Sequence, residues 1–396
     1  MNGSDVFYLA LQNEIEVDKY FYKKNAIPPR DYGYFPKVNY IKRYNGVLAR
    51  FIFNSVRFVW PFISVFFNLI QLTVSFINKF KLNSRSLEGV SHIAFCSCNL
   101  SLDRISEAVK NKQLLYVFRP RHIKNKVDNS VNILQLVSYH DILRAFFDAF
   151  LVCSFPNSEK LGCWNVHTYV AFEWFLVFRA LKGYHGELYT ADHFDRWAIL
   201  IDRGFDRTQK NKYTLIQHGI VTDNVDEPKL NFNIVNKLEN LGCVYLFDTQ
   251  SKLVFENEII SSKANNVDIV ISRPKLPLYA IDTNKKKVLF VGNSICLDFH
   301  LELLASLEQR LDMRNVVLFY KPHPTQSPSR EVGLSSWTLL SPSGGFPDVD
   351  IVISYPSTLA YEYSNLGKIV IQHALDLESA DLEGVTLQVV KALEGI

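Results

Sequence analysis

The chain reads as an α/β protein with two Rossmann-like, doubly wound domains and an N-terminal amphipathic helical appendage. Three observations predict this. From about residue 91 onward, short apolar runs of strand length alternate with segments of helical periodicity, the order that builds parallel sheets with helices on both faces. At residues 272–287 the alternation stops at two prolines, a Thr-Asn pair and Lys285-Lys286-Lys287, and then begins again, as at an interdomain linker. Residues 1–88 stand outside the pattern. The predicted domains are therefore 1–88, 89–275 and 286–396, a division natural for 396 residues.

Composition narrows the class. A hydrophobic share of 48% with 21% charged residues fits a globular protein with some apolar surface, and a net charge of +3 gives no case for a nucleic-acid partner. Six cysteines, Cys96, Cys98, Cys153, Cys163, Cys243 and Cys296, are scattered. Cys96-Ser97-Cys98 has no second pair to complete a metal array, so buried thiols in a reducing cytosol account for them. No apolar stretch lies near Met1, and a cytoplasmic location is expected.

Residues 32–87 contain no Asp or Glu but carry Lys37, Lys42, Arg43, Arg50, Arg57, Lys79, Lys81 and Arg85. Between the basic clusters lies an apolar segment, residues 58–78. Asn54, Arg57, Pro61, Ser64, Asn68, Gln71, Ser75 and Asn78 recur at spacings of three and four, which makes one polar stripe on an otherwise apolar helix. Pro61 suits a first helical turn. Three placements stay open: in the plane of an anionic membrane surface, buried against the protein or a second copy, or spanning a bilayer. The first is preferred, since a spanning helix has no need of a polar stripe.

The first α/β region then runs in order. Residues 93–96 form a strand, 102–109 a helix and 114–118 a strand. A helix at 172–181, a strand at 187–190, a helix at 196–202 and strands at 213–216 and 244–247 follow. In the second region the strands are 288–291, 316–320, 351–354 and 369–371.

Candidate chemistry sits at the strand ends, where ligands bind in open α/β sheets. The run Val316-Val317-Leu318-Phe319-Tyr320 ends in Lys321-Pro322-His323-Pro324, and Ile351-Val352-Ile353-Ser354 leads into Tyr355-Pro356-Ser357-Thr358. Lys321 offers a fixed positive charge and His323 an adjustable donor. Ser357 and Thr358 open a helix at 359–366, whose free N–H groups favour phosphate. Read as neighbouring strands, the two tips make a diphosphate or nucleotide-monophosphate cradle. The plainer alternatives are a turn for His323 and an N-cap for Ser357. Glu362, one turn into the helix, either accepts ribose hydroxyls or serves the helix dipole. Asn293 and Ser294, in the loop after residues 288–291, are weaker donor contacts.

In the first region, residues 213–216 run into Gln217-His218-Gly219, and 187–190 run into Ala191-Asp192-His193-Phe194-Asp195. Both tips face one edge of a parallel sheet, which makes His218 and Asp192 the candidate bases beside a cleft opposite the cradle. A turn residue for His218 and an N-cap for Asp192 are the alternatives. His193 and Asp195 read as helix-start residues, and His300 and His373 as structural or surface residues.

The Gln217-His218-Gly219 turn, the Lys321-Pro322-His323-Pro324 tip and the stretch from Ser354 through Glu362 to Leu366-Gly367-Lys368 resemble bacterial surface-polysaccharide glycosyltransferases of the GT-B type. The likeness is greatest to the CMP-sugar-using sialyltransferases and Kdo transferases, and extends to the teichoic-acid glycerophosphotransferases. It spans roughly residues 90–380. The resemblance implies that His323, Ser357 and Thr358 hold the donor phosphate, assisted by Lys321, and that His218 lies on the acceptor side. The teichoic-acid enzymes carry Asp-Tyr-Ser-Ser where this chain has Ser354-Tyr355-Pro356-Ser357. The acidic-pair-plus-Gly motif of polysialyltransferases has no counterpart here.

The expected activity is transfer of a sugar from a nucleotide-activated donor, with CMP favoured, to a lipid-linked or glycan acceptor in capsule or lipopolysaccharide synthesis. It would take place peripherally on the inner face of the cell membrane. A CDP-polyol phosphotransferase of teichoic-acid type and a non-catalytic glycan- or nucleotide-binding subunit are the alternatives. No cofactor or metal is expected: Asp348-Val349-Asp350 precedes its strand rather than following it.

Overall fold

A computed structural model describes residues 2–24, 47–120, 127–204, 213–221, 228–264, 266–273, 275–293, 295–323, 330–341, 345–375 and 381–395. The chain divides into two compact units, Met1–Arg273 and Pro274–Ile396.

The first unit begins with helices α1 (Gly3–Lys24) and α2 (Val47–Phe80). Strand β1 (His92–Cys96), helix α3 (Asn99–Ala108), β2 (Leu115–Phe118) and β3 (Ser130–Asn132) follow. Next come α4 (Tyr139–Ser154), α5 (Ala171–Leu181), β4 (Glu187–Thr190) and α6 (Arg196–Arg203). Strands β5 (Tyr213–Ile216) and β6 (Cys243–Leu246), helix α7 (Thr249–Val254) and β7 (Asp268–Ile271) complete it. The seven strands form one sheet in the order β3-β2-β1-β4-β5-β6-β7, with every pairing parallel. The winding reverses between β1 and β4, so helices cover both faces. Alternation along β1 shows this directly. Ile93 and Phe95 enter the larger core, while Ala94 and Cys96 pack with Leu102 and Ile105 of α3.

Residues 1–88 are not separate from this core. Val6, Phe7, Ala10 and Leu11 of α1 are fully buried, at the three-and-four spacing of one helix face. Phe7 meets the Trp174 ring edge-on at 5.2 Å. Asn13, also buried, donates to the Phe194 and Asn236 carbonyls at 2.9 Å and accepts from the Asn236 N–H at 2.8 Å.

Helix α2 is a single helix through Pro61. Proline leaves the carbonyl four residues earlier without its partner, and Asn165 Nδ2 donates to that Arg57 carbonyl at 3.0 Å. The polar stripe turns toward the protein: Ser64, Asn68, Gln71 and Ser75 are buried, and α2 lies along α4. The apolar side points outward, with Phe58, Phe62, Phe66, Ile70 and Phe80 exposed. Phe147 and Leu151 of α4, with Phe155 just beyond it, are exposed as well. Lys79, placed among the basic flanks by the sequence, is 4% exposed and donates to Ser84 Oγ at 2.9 Å. Residues Lys37, Lys42 and Arg43, and the side chains of Arg50 and Asn54, lie outside what the structure describes.

The second unit contains β8 (Leu278–Tyr279), β9 (Lys286–Val291), α8 (Leu297–Arg310), β10 (Val316–Lys321), β11 (Thr338–Leu339), β12 (Phe346–Pro347) and β13 (Ile351–Ser354). It ends with α9 (Thr358–Asn365), β14 (Ile369–Gln372) and α10 (Leu382–Gly395). Its parallel sheet has the order β11-β10-β9-β13-β14, and β8 pairs with β12 separately. Val288 and Phe290 face α8 and α10, whereas Leu289 and Val291 face the side carrying Tyr363 of α9. Here the winding reverses between β9 and β13.

Candidate active site

The carboxyl edge of the first sheet carries a dense polar cluster at its reversal point, where such folds leave a crevice. Asp192, at the end of β4, meets Ser97 at the end of β1. Its Oδ1 accepts from Ser97 Oγ at 2.6 Å and its Oδ2 from Thr190 Oγ1 at 2.8 Å. The side chain is 4% exposed, and burial raises its pKa against the lowering pull of those two hydroxyls and of Arg119. Expected as a base, Asp192 is instead a buried carboxylate with both oxygens engaged. It ties β1 to β4.

His218, at the tip of β5, has a better setting. Its Nδ1 contacts the Ala191 carbonyl. A carbonyl only accepts, so Nδ1 carries the proton and Nε2 keeps its lone pair. Among the described residues Nε2 has no hydrogen-bond partner. Burial lowers the pKa of this imidazole below 6.5, opposed by the Ala191 hydrogen bond and by Asp195. The ring is therefore neutral at neutral pH. His193 orients the turn: its Nε2 accepts the backbone N–H of His218 at 3.0 Å, and the two ring centres lie 4.3 Å apart. Burial pushes His193 well below the usual imidazole range, with His218 adding to the effect. Gln217 locks the neighbouring strand, donating to the Gly219 carbonyl at 2.9 Å and Ser251 Oγ at 3.0 Å while accepting from the Phe247 N–H at 2.8 Å.

Asp195 caps α6, accepting from the N–H groups of Trp197 at 2.9 Å and Ala198 at 3.1 Å. Burial, with Asp192 and Glu14 nearby, pushes its pKa up to about 8. Glu14 comes from α1 and pairs with Arg196 through two guanidinium nitrogens. Neither Glu14 nor Ser97 was expected at this edge. The sequence separation of 182 residues between Glu14 and Arg196 leaves no local signal.

In the second unit, three adjacent strand ends share the carboxyl edge: Lys321 of β10, Val291 of β9 and Ser354 of β13. The tips bearing His323 and Ser357 are thus not neighbours, as the sequence reading has them. Strand β9 lies between, which sets their strands about 10 Å apart. The reversal point is occupied by Asn293 and Tyr355, whose side chains are hydrogen-bonded; burial nonetheless raises the Tyr355 hydroxyl. Asn293 Oδ1 also accepts from the Ile295 N–H at 3.0 Å. Gly292 lets this loop pass Tyr320, since a Cβ there would lie 2.4 Å from the ring.

Lys321 points away from the expected cradle. It is 4% exposed, donates to the Ser341 carbonyl at 2.7 Å and lies 4.8 Å from the centre of the Phe346 ring. Its ammonium also lies 3.5 Å from the Gly345 carbonyl, and burial lowers its pKa. His323 is half-buried, and that burial lowers its pKa too. Ser357 is the N-cap of α9, accepting from the Ala360 N–H at 3.1 Å, and its hydroxyl lies 3.0 Å from Ser354 Oγ. Thr358 is the first helical residue, and Glu362 is buried one turn on. Pro324 and Ser294 lie outside the described residues. A cavity of about 650 Å³, lined by residues such as Arg85, Leu87, Lys182 and Tyr184, adjoins the amino ends of β1 and β4, opposite the tips.

No protein-family model matches the sequence, and no curated protein matches it. Among solved structures, the chain is similar to one described as a GtfA/B complex, at 11% identity over 56% of this chain and 53% of that one, with a TM-score of 0.33. It therefore spans about half of that chain. It is also similar to an OtsA apo structure, at 13% identity over 76% and 91%, with a TM-score of 0.38.

Proposed function

We propose that the protein is a glycosyltransferase that takes a sugar from a nucleotide-activated donor, with a CMP-sugar favoured, and adds it to a lipid-linked or glycan acceptor of a capsule or lipopolysaccharide. The observation that carries this reading is the tautomer of His218. With Nδ1 tied to a carbonyl and the ring kept neutral, Nε2 is set to take a proton from an acceptor hydroxyl. The freed oxygen attacks the anomeric carbon, and the bond from that carbon to the phosphate oxygen breaks. The nucleotide leaves with the electron pair. Donor contacts are assigned to the second unit's edge, where His323, Asn293 and the N-terminal N–H groups of α9 beyond Ser357 offer donors to an anion.

The outward apolar side of α2 and α4 supports an acceptor held at a lipid surface. With its polar stripe against the protein, α2 would lie in the plane of the membrane, its phenylalanines in the acyl boundary. A thermal-shift panel of CMP, CDP, UDP, GDP and their sugar conjugates tests the donor assignment, because a ligand bound only by the folded state raises stability by mass action. A CMP-sugar should give the largest shift. No shift with any nucleotide would remove the proposal.

A further inference from the structure

A second group of chemically capable side chains lies in the second unit, buried beneath the edge just described. Cys296 caps α8, His300 lies in its first turn four residues later, and His373 follows β14 directly. The four-residue spacing puts Cys296 and His300 on one helix face. All three are buried, and their sulfur and ring nitrogens lie within 4.8 Å of one another.

The hydrogen bonds of the two rings fix which of their nitrogens carry hydrogen. His373 Nδ1 is 2.6 Å from the Ala374 carbonyl, so that nitrogen bears the hydrogen and its Nε2 is a lone pair. The two Nε2 atoms are 2.9 Å apart, which requires the hydrogen between them to sit on His300. His300 Nδ1 is then a lone pair as well. It is buried and has no hydrogen-bond partner among the described residues, so it is open to take up the hydrogen now held between the rings. The Cys296 thiol lies 3.5 Å from the Asn293 carbonyl. Burial keeps both imidazoles below their ordinary pKa, and hence neutral, while it pushes the thiol up to about 11.

We propose that Cys296, His300 and His373 form a zinc site. One sulfur and two imidazoles suit a borderline-soft cation and disfavour magnesium or calcium. Tetrahedral zinc with bonds of about 2.0–2.1 Å to nitrogen holds two imidazole nitrogens roughly 3.3 Å apart, so the pair need open by only about 0.4 Å. On binding, Cys296 gives its proton to solvent and ligates as thiolate. The hydrogen between the rings moves to His300 Nδ1, freeing both Nε2 lone pairs for the metal. The Ala374 carbonyl already holds His373 in the tautomer this needs, the usual outer-shell arrangement. Three protein ligands leave the fourth position to water. Such an ion would clamp the loop after β9, which carries Asn293, to the loop after β14, where the His373 N–H donates to the Ser354 carbonyl at 3.1 Å. This proposal stands on the cluster alone and does not depend on the transfer reaction.

The test is a titration of the purified, metal-stripped full-length chain with Co(II), then Zn(II). One equivalent of Co(II) should give a thiolate charge-transfer band in the near ultraviolet and the intense visible bands of a tetrahedral site. One equivalent of Zn(II) should abolish both and raise Tm. Cys296→Ser and His373→Gln should each weaken Zn(II) binding by at least about a hundredfold. The proposal is overturned if the wild type shows only weak octahedral Co(II) bands and no Tm rise with Zn(II). It is equally overturned if both variants titrate like the wild type, because the metal then binds elsewhere. Should a variant fail to fold, the wild-type titration still decides.

Discussion

The outward face of α2 gives a prediction whose size can be worked out. Phe58, Phe62 and Phe66 are 83%, 73% and 69% exposed, so each contributes little to the fold and most of its area to whatever covers the helix. Full burial of a phenylalanine side chain is worth about 1.5–3 kcal/mol. Scaled to these exposures and to a headgroup boundary that dehydrates the ring only in part, each contributes about 1–2 kcal/mol. The triple Phe58→Ala/Phe62→Ala/Phe66→Ala variant should therefore bind vesicles more weakly by roughly 3–6 kcal/mol, or about 10²- to 10⁴-fold. Sedimentation with vesicles of mixed phosphatidylcholine and phosphatidylglycerol reads this directly, and Tm without lipid serves as the control. An unchanged partition coefficient with an unchanged Tm would refute the assignment of this face to a membrane.

Other outcomes follow from buried groups. Asp202 is fully buried and accepts from Arg203 Nε at 2.7 Å and from the N–H groups of Glu239 at 3.0 Å and Asn240 at 2.9 Å. Asp202→Ala leaves those donors stranded and should cost about 3–5 kcal/mol in urea denaturation. Gly292→Ala forces a methyl against Tyr320 and should lower stability by about 1–3 kcal/mol. The raised pKa of Asp195 means that the folded chain holds a proton there which the unfolded chain has lost. Its contribution is thus fully present below about pH 4 and is lost as pH rises through about 8. Asp195→Asn keeps the cap and should flatten that part of a Tm–pH profile.

Much of the architecture was legible from periodicity. The strands at 187–190, 213–216 and 351–354 occur where the alternation of apolar runs places them, and Ser357 caps the helix that follows it. What escaped depends on contacts distant in sequence. Strand order is not written in strand patterns, so nothing local revealed β9 between β10 and β13. The stripe on α2 marks one face without saying which face meets the protein. In α1 the spacing of Val6, Phe7, Ala10 and Leu11 fits one helix face, but Tyr8 and Leu9 between them make the run apolar all round and blur which face is buried. The partnership of His300 with His373 spans 73 residues and leaves no local trace. Lys321 carries the charge expected of a phosphate ligand, yet its neighbours are carbonyls that its own strand pattern does not encode.

The most direct test of the central claim is steady-state transfer by His218→Gln, using the nucleotide-sugar that the thermal-shift panel selects. Loss of the base should lower kcat by about 10²- to 10⁴-fold while donor affinity stays as in the wild type. The wild-type rate should rise with pH through a pKa below 6.5 and then level off. A variant that turns over at the wild-type rate, with the same pH profile, would contradict the assignment of His218 as the base.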